Sequence, residues 1–156
     1  PLLYTGFLGN ILIYLVHTID YLYLIIGIVT VVSVDTFAFF GGKLIGGTLL
    51  APRISPKKTN SGAFIGLLFG TLIFYGLIKY LVLTENLSIY DNIIILLFGY
   101  IISFVSVIGD LFESLYKRAY NVKDSGRILP GHGGLLDRMD GHIFALTILY
   151  MFTYVF

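Results

Sequence analysis

Between Tyr21 and Phe40 the chain runs for 20 residues with one charged side chain, Asp35. A helix of that length covers about 30 Å at about 1.5 Å per residue, one hydrocarbon thickness of a bilayer. Residues 61–83 and 92–109 form two further apolar runs of spanning length. A helix satisfies its backbone polar groups internally, so such runs are stable in lipid. Composition supports the same reading. Of 156 residues, 57% are hydrophobic and 12% charged, with a mean hydropathy of +0.91, whereas a soluble domain carries roughly 25% charged residues. A soluble all-α protein would have to hide helices of this length inside a small globule. The expected fold is all-α, a polytopic integral membrane helical bundle forming one domain over residues 1–156.

The remaining segments fall around these runs. Residues 2–16 are apolar but broken by Gly6, Gly9 and Asn10, which suits a truncated or re-entrant helix ending at the polar patch His17, Thr18 and Asp20. Residues 41–60 hold four glycines with Pro52 and Pro56 and read as a loop. Gly62, Gly66 and Gly70 recur every fourth residue, a small-residue stripe that lets helices approach closely in lipid. Residues 84–91 form a short polar connection, 120–141 are polar and glycine-rich, and 142–156 read as a final helix. The chain has no cysteine, which excludes disulfides, thiolate nucleophiles and cysteine metal sites. It starts at Pro1 inside an apolar run without a signal-peptide layout, as the interior of a longer protein would.

Charge is distributed unevenly. Lys43, Arg53, Lys57 and Lys58 lie in the first long loop, and Lys117, Arg118, Lys123, Arg127 and Arg138 in the second, nine of the ten Lys and Arg. The connection between the two spans that separate them has Glu85 and Asp91 but no cation. Two spans return the chain to its starting side, so both basic loops emerge on one face, which the positive-inside rule makes cytoplasmic.

The chemistry-bearing residues gather in these loops. Asp110, Glu113, Ser114 and Lys117, at i, i+3, i+4 and i+7, share one helix face. For Glu113 a local pair with Lys117 is the plain alternative to a functional role. Asp110 follows an 18-residue apolar run, and an acid so placed faces a cavity or a partner. In Gly131-His-Gly-Gly-Leu-Leu-Asp-Arg-Met-Asp140 the glycines permit close approach of phosphate oxygens to backbone amides. Asp137 and Asp140 reach one side of a helical turn and, with Asp110, make a hard-oxygen set suited to Mg²⁺. Arg138 and neighbouring cations can pair with phosphate. His132 suits a ligand, a phosphate donor or a turn residue. A Ser125, His132, Asp137 triad lacks a nucleophile elbow. Neither a Walker motif nor a paired-histidine zinc motif is present.

Taken together, Ser114-Leu-Tyr-Lys117-Arg118, Lys123-Asp124-Ser125-Gly126 and Leu129-Pro-Gly-His132-Gly133-Gly134-Leu-Leu-Asp137-Arg138-Met-Asp140 closely resemble the signature of the phosphatidate cytidylyltransferase (CDP-diacylglycerol synthase) family. The match spans 27 residues with fixed spacings. Asp35-Thr-Phe-Ala-Phe-Phe-Gly-Gly-Lys43 and Ser55-Pro-Lys-Lys-Thr59 look like two more family segments. The chain departs from the pattern at Asn60-Ser61-Gly62, where the family usually has an acid before the glycine, and at Gly141, where it often has Ser.

The resemblance implies a Mg²⁺-dependent membrane enzyme that joins CTP to phosphatidic acid, releasing pyrophosphate and forming CDP-diacylglycerol. It also implies a homodimer, a bacterial inner-membrane location and no nucleic-acid partner. On this reading the chain is the C-terminal catalytic transmembrane domain of a longer protein. Asp110, Asp137 and Asp140 would hold the metal, with Asp35 as an additional acid. Lys57, Lys58, Gly133 and Gly134 would bind the nucleotide, and Lys117, Arg118, Lys123, Asp124, His132 and Arg138 would serve the reaction. Two rival readings are a CTP-dependent lipid kinase, which releases CDP instead, and a scaffold or cation-conducting bundle. The last would need acids lining consecutive spans rather than one face.

Overall fold

The computed structural model describes Ile13, His17 and residues 21–82, 88–120 and 136–153, apart from the side chains of 136–140. Among the described residues four long helices carry the fold. Helix α1 is Tyr21–Ile45; a hairpin of β1 (Leu49–Ala51) and β2 (Ser55–Thr59) follows; α2 is Asn60–Leu77, continued by a π-helical turn Ile78–Val82; α3 is Ile89–Ala119; and α4 is Leu136–Phe152. Segments Tyr21–Ile45, Asn60–Val82 and Ile89–Ala119 are long and apolar enough to cross a membrane. The molecule is a polytopic helical membrane bundle.

The segment expected to be a loop over 41–60 is more ordered than its composition suggests. Gly41 and Gly42 do not stop α1. They let it touch its neighbour: a Cβ on Gly41 would lie 2.8 Å from Ile65, and one on Gly42 would lie 2.7 Å from Thr59 Oγ1. The helix ends where Gly46 and Gly47 take positive φ, 66° and 109°, a region that glycine enters without steric cost. The chain then forms the antiparallel hairpin, pairing Leu49 with Thr59 and Ala51 with Ser55. Ile54 N donates to Ala51 O at 3.0 Å to close its turn. Thr59 caps α2, accepting from Gly62 N at 3.1 Å.

Close approach fixes the α1–α2 crossing. A Cβ on Gly66 would sit 2.7 Å from the Val34 carbonyl, and a side chain on Gly62 or Gly70 would collide with Ala38 O or with Val34 and Ser103. The glycine stripe is therefore a packing surface. A capping box closes the start of α3: Ser88 Oγ accepts from Asp91 N at 3.2 Å, and Asp91 Oδ2 accepts from Ser88 N at 3.0 Å. At 31 residues α3 is about 46 Å long, so its charged last third extends beyond the hydrocarbon of a typical bilayer.

Helix α4 runs antiparallel to α3. Phe152 meets Phe98 with ring centroids 5.2 Å apart, and Phe144 meets Phe112 at 6.0 Å. A Cβ on Gly141 would lie 3.0 Å from Ser106 O, so the glycine at this position lets the two backbones meet. Phe152 also meets Tyr23 and Phe74 edge-on, an arrangement favoured by the ring quadrupoles. The core includes Ile26, Phe74, Ile78, Ile95, Ile102 and Leu149. The outer surface stays apolar, with Ile25, Val32, Phe64, Leu72, Leu97 and Phe104 exposed, as suits helices facing lipid.

Candidate functional site: a basic cavity at one end of the bundle

The hairpin between α1 and α2 and the last turns of α3 come to the same end of the bundle. Arg118 Nε donates to Ile54 O at 3.4 Å, and Lys58 forms an ion pair with Asp110 Oδ2. The first basic loop and the cationic end of α3 thus share one face, as the two-span parity requires. Lys79 lies at the other end, donating at 3.3 Å to the hydroxyl of Tyr75, which itself donates to Asn92 Oδ1 at 2.7 Å.

A cavity of about 420 Å³ opens at the basic end. Helix α1 lines it with Asp35, Phe39 and Lys43, spaced four apart and so on one face. The hairpin contributes Lys57 and Lys58, and α3 contributes Val107 and Asp110. Three lysines and two carboxylates therefore meet around one space, a pattern suited to an anionic ligand carrying a cation. Asp35 is exposed on the cavity wall. Lys58 and Asp110 are partly exposed, at 29% and 25% of their side chains. Ser114 Oγ approaches Asp110 Oδ1 at 3.5 Å.

The hairpin is held in place on several sides. At its root Ser61 Oγ donates to Gly46 O, and Asn60 Nδ2 donates to Thr48 Oγ1 at 2.8 Å. Arg118 holds its turn and Asp110 its second strand. Asn60 and Ser61, which directly follow the second strand, thus fasten the hairpin at its root.

Of the expected site residues, Lys57, Lys58 and Asp110 are brought together, with Asp35 beside them. Lys117 and Arg118 lie further along α3, outside the cavity lining. Lys117 Nζ donates to Glu113 Oε2 at 3.0 Å, the local pair read as the alternative for Glu113. The Oε1 of Glu113 is buried without a hydrogen-bond partner among the described residues. Lys43 was not among the expected site residues. Its sequence signals were its place among the clustered cations of the first loop and at the end of the family-like segment Asp35–Lys43.

Lys123, Asp124, His132, Gly133 and Gly134 fall outside the described residues, as do the side chains of Asp137, Arg138 and Asp140. Backbone register still places the first turns of α4. Gly141 lies against Ser106; Asp110 is one turn past Ser106 on α3, and Asp137 one turn before Gly141 on the antiparallel α4. Both backbone positions are thus level with each other at the basic end. Among the described residues no three His, Asp or Glu side chains converge on a point. Asp35 and Asp110 nevertheless offer carboxylate oxygens to one cavity, a donor chemistry that fits a hard divalent cation.

Fold and site together define an integral membrane protein with a polar, lysine-rich cavity at one end of an apolar bundle. The family model that matches residues 1–156 is that of the cytidylyltransferase family, and the chain belongs to it. It is 45% identical over 120 residues to a phosphatidate cytidylyltransferase of Rickettsia typhi, covering 76% of this chain and 52% of that protein. A Helicobacter pylori protein of the same name is 43% identical over 129 residues, covering 81% and 45%. Phosphatidate cytidylyltransferase 4, chloroplastic, of Arabidopsis thaliana is 47% identical over 122 residues, covering 78% and 30%. The chain thus spans about half the length of these bacterial relatives.

Proposed function

We propose that this chain is the catalytic membrane domain of a phosphatidate cytidylyltransferase. It would condense CTP with phosphatidic acid to form CDP-diacylglycerol and pyrophosphate. The observation that carries the reading is the cavity in which Lys43, Lys57 and Lys58 face Asp35 and Asp110 at the end of a lipid-facing bundle. Such a site meets a soluble polyanion on one side and a membrane lipid on the other. The relatives named for this activity make the substrate class specific.

In the reaction a phosphate oxygen of phosphatidic acid attacks the α-phosphorus of CTP. The bond from that phosphorus to the β-phosphate bridging oxygen breaks, and pyrophosphate leaves with the electron pair. A phosphomonoester carries roughly −1.5 to −2 charge at neutral pH, so the nucleophile needs little activation. The barrier is repulsion between two polyanions. Lys43, Lys57, Lys58 and Arg138 offset that repulsion, and the Gly133–Gly134 backbone permits close approach of phosphate oxygens. Lys117 and Arg118, beyond the cavity lining on α3, would add to the positive field that draws the anionic substrates to this end, and Lys123, Asp124 and His132 of the family-like motif would serve the reacting groups. Asp110, Asp137 and Asp140, with Asp35, would hold Mg²⁺, which when bound supplies charge neutralisation at the triphosphate and the departing pyrophosphate. The basic end faces the cytoplasm, in a bacterium across the inner membrane, and the protein acts as a homodimer.

The test is to incubate the full-length protein in membranes with CTP labelled in the cytidine, phosphatidic acid and Mg²⁺, and to identify the lipid product. Labelled CDP-diacylglycerol with equimolar pyrophosphate is expected. Release of CDP with phosphate transfer to a lipid alcohol would instead make it a CTP-dependent lipid kinase.

A further inference from the structure

Lys58 stands between two parts of the site. Its ammonium lies on Asp110 Oδ2 across 52 residues of sequence, and its stem borders the cavity beside Lys43 and Lys57. Among the described ion pairs, it is the only one of these three lysines held by a carboxylate. An oxygen occupied by an ammonium cannot present the same lone pair to a divalent cation. A divalent cation on Oδ2 therefore requires Lys58 to move, and one on Oδ1 would still be repelled by an ammonium held on the same carboxylate. The pair is partly exposed, and such pairs are weak enough to exchange. A lysine has a flexible stem and a compact charge that can follow its anion. Lys58 also sits on a hairpin anchored independently by Ser61, Asn60 and Arg118. Its departure from Asp110 leaves the hairpin in place.

We infer that Lys58 is an exchangeable counter-ion: it and a divalent cation take Asp110 in turn, and the displaced ammonium passes to a phosphate oxygen of the nucleotide. The inference rests on the cytidylyltransferase reading of the cavity. It couples the two ligands, since each makes room for the other, and linkage makes that coupling reciprocal. A purely structural Lys58–Asp110 pair would have no such effect.

The experiment uses full-length protein in detergent, with Mn²⁺ binding followed by electron paramagnetic resonance and CTP binding by calorimetry. In the absence of nucleotide, Lys58→Met binds Mn²⁺ roughly fivefold tighter than wild type, the equivalent of one partly exposed ion pair. Its affinity for CTP falls, and Mn²⁺ enhances CTP binding less than in wild type. Lys57→Met, whose side chain borders the cavity without holding Asp110, leaves Mn²⁺ affinity near the wild-type value. Asp110→Asn weakens Mn²⁺ binding.

If Asp110→Asn weakens Mn²⁺ binding while Lys58→Met leaves it unchanged or weaker, the exchange is refuted and the metal role of Asp110 stands. Equal tightening by Lys57→Met would also refute it, because the effect would then be one of overall charge. Unaltered Mn²⁺ binding by Asp110→Asn would remove Asp110 from the metal site and the exchange with it. Should Lys58→Met fail to fold, Lys58→Gln is read by the same criteria.

Discussion

The crossing of α1 and α2 sets the position of Asp35, and a single methyl group tests that dependence. A Cβ at Gly66 would lie 2.7 Å from the Val34 carbonyl oxygen and 3.0 Å from Ala38 Cβ. Ordinary contact between these atoms begins well above 3 Å, so Gly66→Ala must push the helices apart by about half an ångström. Overpacking of this kind costs about 1–3 kcal/mol, or a thermal midpoint lower by about 6 °C for a cost of ~2 kcal/mol. Val34 immediately precedes Asp35, so the displacement passes directly to a cavity carboxylate. Misplacement near 1 Å lowers turnover by up to ~100-fold, and half that shift predicts a loss of about tenfold. Gly76 lies on the same helix with nothing within 4 Å of its Cβ. Gly76→Ala should leave turnover unchanged and hold or raise the midpoint, given the better helix propensity of alanine. Both variants can be measured as detergent-solubilised full-length protein by thermal unfolding and by CDP-diacylglycerol formation. Equal behaviour of the two would refute the claim that glycine contact positions the site.

Asp110→Asn is expected to lower turnover by at least ~100-fold and to raise the Mg²⁺ concentration needed for half-maximal rate, since one charged ligand is lost; a Mg²⁺ titration measures both. Asp137→Asn should abolish product formation while membrane insertion, followed by fractionation, stays intact; near-normal turnover by that folded variant would exclude Asp137 from the metal set. Lys43→Met should weaken CTP binding by about tenfold, the loss of one charge-assisted contact, with little change in the midpoint because its side chain is exposed. Ser61→Ala removes the hydrogen bond to Gly46 O and should cost about 1 kcal/mol, with a partial loss of activity read from initial rates.

Much of the architecture is legible in the sequence. Hydropathy marked the three long helices because lipid imposes a local requirement: every residue in the run must tolerate hydrocarbon. The stripe at Gly62, Gly66 and Gly70 was legible as packing because helical period alone puts those positions on one face. Asp110 was legible because a carboxylate at the end of an apolar helix needs a polar neighbour. The order within residues 41–60 was not. Gly41 and Gly42 carry the same composition signal as Gly46 and Gly47, yet the first two sit inside a helix, against Ile65 and Thr59, and only the second two reverse the chain.

From the sequence alone came the three long spans found among the described residues, the common face of the first basic loop and the cationic end of α3, and the family motif, since each depends on residue type, local spacing or parity. The tertiary structure decided that Lys58 pairs with Asp110, that Arg118 holds the hairpin turn instead of lining the cavity, and that Lys43 joins Asp35 at its wall. Those outcomes depend on how far each helix is rotated and how closely it crosses its neighbour. Contacts between backbones at Gly62, Gly66 and Gly141 set both, and no local pattern encodes which distant side chain then comes within reach.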